Sequence, residues 1–239
     1  YIIGLDAGST TTKAVLIRTS DKAIVAGVYL RTGGDPVLAS RQCYQSLAEQ
    51  VPQKLNIVGL GVTGSGRQIA GLHGLTNGIV NEIIAHTTAA VYFDPEVDTI
   101  FEIGGQDAKY TYINNRVPSD YAMNEACSAG TGSFLEEAAR EALNIVTEDI
   151  AAYALKGTNP PNFNDQCAAF IGSDIKTAIQ EGIKNEDIAA GLVYAICLNY
   201  ITRVKSSRKV GRKIFMQGGV CYNKAVPLAM AALTGREII

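Results

Sequence analysis

Cys127 and Cys167 are the residues of this sequence whose type and surroundings most directly suggest chemistry. Each lies just before a segment in which apolar residues recur at helical spacing, and Asp165 is predicted to cap the second helix. A helix N-terminus favours an anion and lowers the pKa of a nearby thiol. The pair could therefore ligate a metal, and two copies of the chain would supply the four thiolates of a cubane iron–sulfur cluster. The alternative is that both are small buried residues, the commoner role of cysteine.

Two predicted amphipathic helices follow these cysteines. The loop after the first cysteine contains Gly130, Thr131 and Gly132, and its glycines allow a backbone to approach a ligand closely. Ser133 and Glu136 are predicted to form a capping box at the start of the first helix. The predicted apolar face of the second helix consists of Phe170, Ile171, Ile175, Ala178 and Ile179.

Residues 1–18 are predicted to form a strand, a polar turn and a second strand. The turn runs from Asp6 to Lys13, and between them lie the small residues Gly8, Ser9, Thr10, Thr11 and Thr12. Hydroxyls and backbone amides in such a turn can hold phosphate oxygens, and Lys13 adds positive charge. Asp6 is placed to hold Mg²⁺ through water. A hydroxyl-rich hairpin turn without a ligand is the alternative, but this combination of residues favours phosphate binding.

A second hairpin of the same plan is predicted at residues 99–113. Its turn contains Gly104, Gly105, Gln106 and Asp107. These are also ordinary turn residues, so the motif is weak evidence when taken alone. Because each hairpin opens a strand-rich half, the two suggest an internal duplication that holds one nucleotide.

A later strand, beginning at residue 214, ends at Gly218 and Gly219 before a helix. That junction would let a flat ligand such as adenosine lie close to the backbone. Residues 59–64 match the dinucleotide motif G-x-G-x-x-G, but the glycines that follow argue against a helix directly after it. Further strands are predicted at residues 23–31, 57–62 and 116–122, and further helices at residues 36–50, 81–92 and 188–204.

Glu82 and His86 lie on one face of the helix predicted at residues 81–92. Two such side chains make a poor metal site. A satisfied core pair, or a helix that faces a nucleotide cleft, is the preferred interpretation. The other cysteines, Cys43, Cys197 and Cys221, are assigned to packing.

Composition limits the classes of function. The chain has 239 residues, of which 47% are hydrophobic, with abundant glycine and no tryptophan, as in many α/β proteins. A net charge of −2 gives no electrostatic support for binding to nucleic acid or to a membrane surface. No apolar run is expected to reach membrane-spanning length. Five unclustered cysteines indicate a reducing cytoplasm. The chain begins and ends in predicted strands, which suggests a piece of a longer protein.

The order of these motifs resembles the ATPase activators of 2-hydroxyacyl-CoA dehydratases, which are related to the ATPase subunits of benzoyl-CoA reductase. The resemblance covers almost the whole chain and rests on residues 6–13, 104–109, 127–132 and 218–223, together with Cys167. Any single motif would indicate only the wider superfamily of acetate kinase, sugar kinases, heat-shock chaperones and actin. The two cysteines indicate the activators.

The resemblance implies an α/β fold of two ribonuclease-H-like domains, residues 1–94 and 95–239, around a nucleotide cleft, as in actin-like ATPases. It implies ATP or ADP and Mg²⁺ as ligands. It also implies a homodimer that shares a 4Fe–4S cluster held by Cys127 and Cys167 of both chains. ATP hydrolysis would drive one-electron transfer to a 2-hydroxyacyl-CoA dehydratase or a benzoyl-CoA-reductase-like partner, and reduced ferredoxin or flavodoxin would be the electron donor.

The resemblance also assigns roles to single residues. Asp6 and Asp107 would organise Mg²⁺ and the attacking water, which Gln106 could orient. The two hairpin turns would hold phosphates, and the glycine-containing loop at residues 130–132 would lie near the ligand. Adenosine would be bordered by Gly218, Gly219 and Asn223.

Two other functions are compatible with the phosphate-type turns. A sugar-type kinase of the same superfamily would leave Cys127 and Cys167 as packing residues. It would need an acidic base beside a sugar pocket, which we do not identify in the sequence. A regulatory module that binds nucleotide without useful turnover is the second alternative.

Overall fold

In the computed structural model the described residues are 1–51, 54–124, 130–164 and 168–239. The chain divides into two compact units, Tyr1–His86 (unit 1) and Thr87–Ile239 (unit 2). Each unit has its own buried apolar core.

Unit 1 is built on a four-stranded sheet with the strand order β3-β2-β1-β4. Central strand β1 is antiparallel to β2 and parallel to β4. The strands and helices are β1 (Ile2–Ala7), β2 (Thr11–Ile17), β3 (Ile24–Arg31), α1 (Pro36–Gln50), β4 (Gly59–Thr63) and α2 (Arg67–His73). The next helix, α3 (Glu82–Phe93), begins in unit 1 and ends in unit 2.

The start and the buried face of helix α1 in unit 1 follow from its local sequence. Its N-cap is Asp35, whose Oδ1 accepts hydrogen bonds from the amides of Val37 and Leu38 at 3.1 and 2.9 Å. Cys43 and Leu47 on the buried face of α1 belong to the core against the sheet. The bounds of this helix are those predicted from the sequence.

Helix α2 corrects the expectation that no helix follows residues 59–64. Gly71 lies inside α2, and a Cβ there would come within 2.8 Å of Ile79 Cγ1. A larger residue here would have to displace the Ile79 side chain, whereas glycine packs closely against it and does not interrupt the helix. Propensity alone, which penalises glycine in helices, misled the prediction.

Unit 2 repeats the sheet of unit 1 with the strand order β7-β6-β5-β8. Its strands are β5 (Thr99–Ile103), β6 (Ala108–Asn114), β7 (Val117–Met123) and β8 (Ile214–Gln217). Its helices after α3 are α4 (Gly132–Leu143), α5 (Ile150–Ala154), α6 (Ala168–Gln180), α7 (Asn185–Asn199) and α8 (Ala225–Thr234), with 3-10 turns at Thr147–Asp149 and Gly219–Tyr222. As in unit 1, the central strand is antiparallel to one neighbour and parallel to the other. The predicted duplication is thus present in the topology.

Helix α7 is the core helix of unit 2 and continues as a π-helical turn, Tyr200–Lys205. Among the described helices, the segment Asn185–Lys205 is long and apolar enough to cross a membrane, contrary to the sequence expectation. However, 72% of its most apolar window is buried inside the protein, as in the core helix of a globular unit. The apolar face predicted for this helix is buried throughout: Ile188, Leu192, Val193, Ile196, Tyr200 and Val204.

Asp187 on α7 provides a test of the stability of unit 2. Its Oδ1 accepts the amides of Asn159 and Thr158 at 2.8 and 2.7 Å, and these hydrogen bonds lower the pKa of Asp187. A lowered folded-state pKa stabilises the fold above about pH 4, and this contribution is lost as the pH falls. We expect Asp187→Ala to lower Tm at pH 7 by roughly 2 to 6 °C.

Thermal unfolding of both proteins from pH 7 to pH 3 checks this expectation, because the difference in Tm should shrink on acidification. Glu181→Ala, which removes an exposed carboxylate, is the control and should leave Tm unchanged. A difference for Asp187→Ala that stays constant with pH would contradict the proposed cause.

Candidate functional site

The first candidate turn joins β1 to β2 in unit 1. Asp6 and Lys13 are direct partners in the antiparallel register, and Lys13 Nζ lies 3.1 Å from Asp6 Oδ2. The amide of Gly8 donates to Thr11 O at 3.1 Å and closes the turn. Both charged side chains are about one-third exposed, at 31% and 33%, so the pair is weak and a ligand can reach either group.

The hydroxyls of this turn differ in their availability to a ligand. Ser9 is exposed, whereas Thr12 is fully buried and its Oγ1 lies 2.9 Å from Thr32 Oγ1. Thr10 Oγ1 is buried without a hydrogen-bond partner. The predicted phosphate-binding hydroxyl of Thr12 is thus buried and bonded to Thr32, so it stabilises the turn from its core side and does not face a ligand.

The second candidate turn joins β5 to β6 in unit 2. Glu102 and Lys109 are register partners, with Lys109 Nζ 3.0 Å from Glu102 Oε1, and the amide of Gly104 donates to Asp107 O at 2.8 Å. The strands of the two hairpins pair in the same register. The counterpart of Asp6 is therefore Glu102, and the counterpart of Lys13 is Lys109. Asp107, to which the resemblance assigns a role together with Asp6, occupies the place of Thr11.

Glu102 is therefore a candidate residue that the sequence analysis missed. The signal was present, because each acidic residue is followed by glycine two positions later and by its lysine seven positions later. Unlike the pair in unit 1, Glu102 and Lys109 are buried, with side chains 10% and 6% exposed. Tyr200 Oη donates to Lys109 O at 2.8 Å, and burial raises the pKa of Tyr200 well above its usual value.

The N-terminus of α4 is bonded directly to the second turn. Gly132 N donates to Gly104 O at 2.9 Å, and Ser133 N donates to Gly105 O at 2.8 Å. The helix begins at Gly132, after Thr131, which makes no side-chain cap hydrogen bond. The predicted capping box at Ser133 is wrong, since carbonyl groups of the turn take the place of a capping side chain.

The loop before α4 is closely packed in its described part. A Cβ at Gly130 would lie 2.5 Å from the side-chain oxygen of Asn199, and one at Gly132 would lie 2.6 Å from Val220 Cγ2. Both glycines were predicted to let a ligand approach the backbone. In the structure, the neighbours that approach them are side chains of unit 2 itself.

In each unit, a glycine follows the strand that pairs in parallel with the central strand, namely β4 in unit 1 and β8 in unit 2. Gly64 follows β4 with φ 94°, and Gly218 follows β8 with φ 98°. A Cβ would come within 2.5 Å of Ala7 O in the first case and within 2.3 Å of Ile103 O in the second. Gly218, predicted to border adenosine, is therefore held against the protein's own backbone on that side.

The other two residues predicted to border adenosine follow Gly218. Gly219 opens the 3-10 turn Gly219–Tyr222. Asn223 Oδ1 accepts the amide of Ala225 at 3.0 Å and so fixes the start of α8. This contact gives Asn223 a structural role.

Cys127 and Cys167, the predicted metal ligands, lie outside the described residues, as does the proposed cap Asp165. Helix α6 begins at the residue that follows Cys167 in the sequence. On its predicted apolar face, Ile171, Ile175 and Ala178 are buried, whereas Phe170 and Ile179 are 61% and 43% exposed, which corrects the prediction for those two.

Within the part of the chain that the structure describes, no group of three or more His, Cys, Asp or Glu side chains could hold a metal ion. Glu82 lies 3.7 Å from Arg67 and forms an ion pair with it. Cys43 and Cys197 are fully buried, and burial raises the pKa of Cys197 and Cys221 to about 12. These three cysteines are neutral packing residues, as expected.

The sequence was also compared with models of known protein families. The model of the BadF/BadG/BcrA/BcrD ATPase family matches residues 3–238. This chain belongs to that family. The family assignment confirms the resemblance seen in the sequence and supports ATP binding and ATPase activity.

Two relatives are similar to this protein over its whole length. The (R)-2-hydroxyglutaryl-CoA dehydratase activating ATPase of Acidaminococcus fermentans is 29% identical, over 100% of this chain and 90% of the relative. The 2-hydroxyisocaproyl-CoA dehydratase activator of Clostridioides difficile is 30% identical, over 100% of this chain and 88% of the relative.

A solved structure of the 2-hydroxyisocaproyl-CoA dehydratase activator from Clostridium difficile, with bound ADPNP, matches with a TM-score of 0.92. It is 28% identical, and the match covers 100% of this chain and 87% of that chain. The predicted α/β, actin-like ATPase fold is confirmed.

Proposed function

We propose that this protein couples ATP hydrolysis to one-electron transfer into a CoA-ester dehydratase or reductase. The observation that carries the proposal is the bonding of Gly132 N and Ser133 N to the second turn. Through these bonds, a ligand that shifts the turn also acts on α4, the helix that follows Cys127. Two relatives are named as a dehydratase activating ATPase and a dehydratase activator, which supports an acceptor of this kind.

The turns would bind MgATP through complementary groups. In unit 1, Lys13 and the amides and hydroxyls at residues 8–11 would contact phosphate oxygens, while Asp6 would hold Mg²⁺ through water. In unit 2, Gln106 is exposed at the tip of the turn and would orient the attacking water together with Asp107. The homologous structure with bound ADPNP supports adenine nucleotide as the ligand.

The residues around the two helix starts suit an iron–sulfur cluster. Cys127 precedes the start of α4 by five residues, and Cys167 immediately precedes α6. A thiolate-ligated cluster is anionic, and helix N-termini stabilise anions. Cys127 and Cys167 of two copies would supply the four thiolates of one 4Fe–4S cluster, which provides a one-electron donor when bound. Reduced ferredoxin or flavodoxin would supply the electron.

An anaerobic reconstitution tests the function. The purified protein, reduced with dithionite, would be mixed with a 2-hydroxyacyl-CoA dehydratase and MgATP, and dehydration would be followed together with phosphate release. We expect activation with ATP and none with a non-hydrolysable analogue. Phosphorylation of a sugar without activation of the dehydratase would support the kinase alternative instead.

The contact between the second turn and α4 can be tested separately with Gly132→Ala. The added Cβ would lie 2.6 Å from Val220 Cγ2 and 3.2 Å from Gly104 O, so the Val220 side chain, the helix or the turn must shift. We expect ATP turnover to fall about tenfold or more, because small errors in position are costly in catalysis.

Gly172→Ala in α6 is the matched control, since a Cβ there meets no atom within 4 Å. It should retain full turnover and keep or slightly raise Tm. Steady-state phosphate release and thermal unfolding measure both effects. Equal turnover in Gly132→Ala and Gly172→Ala would show that the packing of α4 on the turn is not required.

A further inference from the structure

Thr32, the residue after β3, holds the first turn from its core side. Its side chain is buried, and Thr32 Oγ1 donates to Gly8 O at 2.7 Å. A hydroxyl carries a single proton, so the contact of 2.9 Å between Thr32 Oγ1 and Thr12 Oγ1 is a bond in which Thr12 donates. The amide of Thr32 also donates to Thr10 O at 2.9 Å. Thr32 therefore forms three hydrogen bonds with residues of the turn.

The bond to Gly8 O fixes the orientation of one peptide group in the turn. In a trans peptide the C=O and the following N–H point in opposite directions. Because Gly8 O points to Thr32 in the core, the amide N–H of Ser9 points away from the core. Among the described residues, no acceptor is found for that N–H. An outward-facing N–H is the kind of donor that a phosphate oxygen requires.

The second turn is held at the equivalent carbonyl. Gly104 O, the counterpart of Gly8 O, accepts from the amide of Gly132 at 2.9 Å. The same peptide group is thus restrained in both repeats, by a threonine hydroxyl in unit 1 and by a helix amide in unit 2. Because two different donors restrain the same carbonyl in the two repeats, we infer that the direction of this peptide group matters to the site.

We propose that Thr32 is a positioning residue that directs the Ser9 amide, and with it the first turn, toward a phosphate group of the nucleotide. Phosphate as the ligand rests on the proposed function. The inferred orientation of the turn does not depend on the proposed function, because it follows from the hydrogen bonds of Thr32. The side chain of Thr32 is buried, so it acts on the nucleotide through the turn.

The test compares Thr32→Val, Thr32→Ser and Thr87→Val. Valine has the shape of threonine without the hydroxyl, so Thr32→Val leaves Gly8 O and the Thr12 hydroxyl without their partner. Serine retains the hydroxyl. Thr87→Val makes the same chemical change at a buried threonine whose Oγ1 has no hydrogen-bond partner, so it should not affect the turn.

We expect the Kd for MgATP to rise about tenfold or more in Thr32→Val, as for the loss of one or two hydrogen bonds, with kcat at saturating nucleotide nearly unchanged. Thr32→Ser and Thr87→Val should bind as the wild type does. Binding in Thr32→Val equal to that of Thr87→Val would overturn the proposal. If Thr32→Val does not fold, Thr32→Ala takes its place.

Amide hydrogen exchange at residues 8–11, measured without nucleotide, separates this proposal from the proposed function. Exchange should accelerate in Thr32→Val and remain at the wild-type rate in Thr32→Ser. If the wild type binds no MgATP, the proposed function fails, while accelerated exchange still supports the assignment of Thr32. Unchanged exchange in Thr32→Val overturns that assignment whether or not nucleotide binds.

Discussion

Asp6→Asn should reduce ATP hydrolysis roughly a hundredfold or more while the protein remains folded. The carboxylate of Asp6 is one-third exposed and pairs only weakly with Lys13, so its removal costs the fold little. Asparagine has nearly the same shape but lacks the charge that would hold hydrated Mg²⁺. Phosphate release at saturating Mg²⁺ measures the effect, and thermal unfolding confirms that the fold is retained.

Asp21→Asn is the matched control for this loss. Asp21 also pairs with a cation of its own hairpin, Arg18, but at the opposite end of the sheet from Asp6. It should retain wild-type turnover. Full activity in Asp6→Asn would exclude a role for Asp6 in metal binding and with it the proposed use of the first turn.

The second turn needs a comparison of two acidic residues. Asp107→Asn should lower turnover without loss of stability, if Asp107 organises the attacking water. Glu102→Gln should in addition destabilise unit 2, because it removes the carboxylate charge that lies 3.0 Å from the buried Lys109 ammonium. Turnover that depends on Glu102 but not on Asp107 would move the catalytic role to the register partner of Lys109.

The second large effect concerns iron. Under anaerobic conditions the wild type should contain about two irons per chain, since one cubane is shared by two copies. Cys127→Ser and Cys167→Ser should each abolish bound iron and electron transfer, while MgATP binding persists. Dimerisation should weaken too, because a bound metal cluster stabilises the assembled state. Iron analysis, nucleotide titration and sedimentation measure the three quantities.

Cys221→Ser is the control for this experiment. Its thiol has a pKa of about 12, raised mainly by burial, so it is a poor metal ligand, and the variant should keep its iron. A Cys127→Ser, Cys167→Ser double variant that retains a full iron complement would reject the shared cluster. Loss of iron in Cys221→Ser as well would point to general destabilisation.

Most of the fold could be predicted because the main signals are local. The strand–turn–strand segments predicted at residues 1–18 and 99–113 form hairpins in the structure, and the predicted bounds of α1 match those observed. The buried face of α7 followed from helical periodicity alone. Helix α2 was missed because the need for Gly71 arises from its contact with Ile79, which is not readable from local propensity.

The site was less predictable because its residues act through register and distant contacts. The resemblance assigned the metal and the attacking water to Asp6 and Asp107, and only the strand register shows that Glu102 is the counterpart of Asp6. The capping box at Ser133 failed because the acceptor for its amide, Gly105 O, comes from another element. The predicted cluster ligands Cys127 and Cys167 lie outside the described residues and remain predictions.

The burial of α7 has a consequence for how the protein is made. The segments packed against it include α8, which leaves the ribosome after it, and β5 also pairs with β8, a parallel partner that is made later. At about 5 to 20 residues per second, the part of α7 that packs against α8 stays uncovered for a few seconds of translation. During that interval the nascent chain presents a long hydrophobic helix to chaperones, and unit 2 can complete its core only when residues 214–234 have emerged.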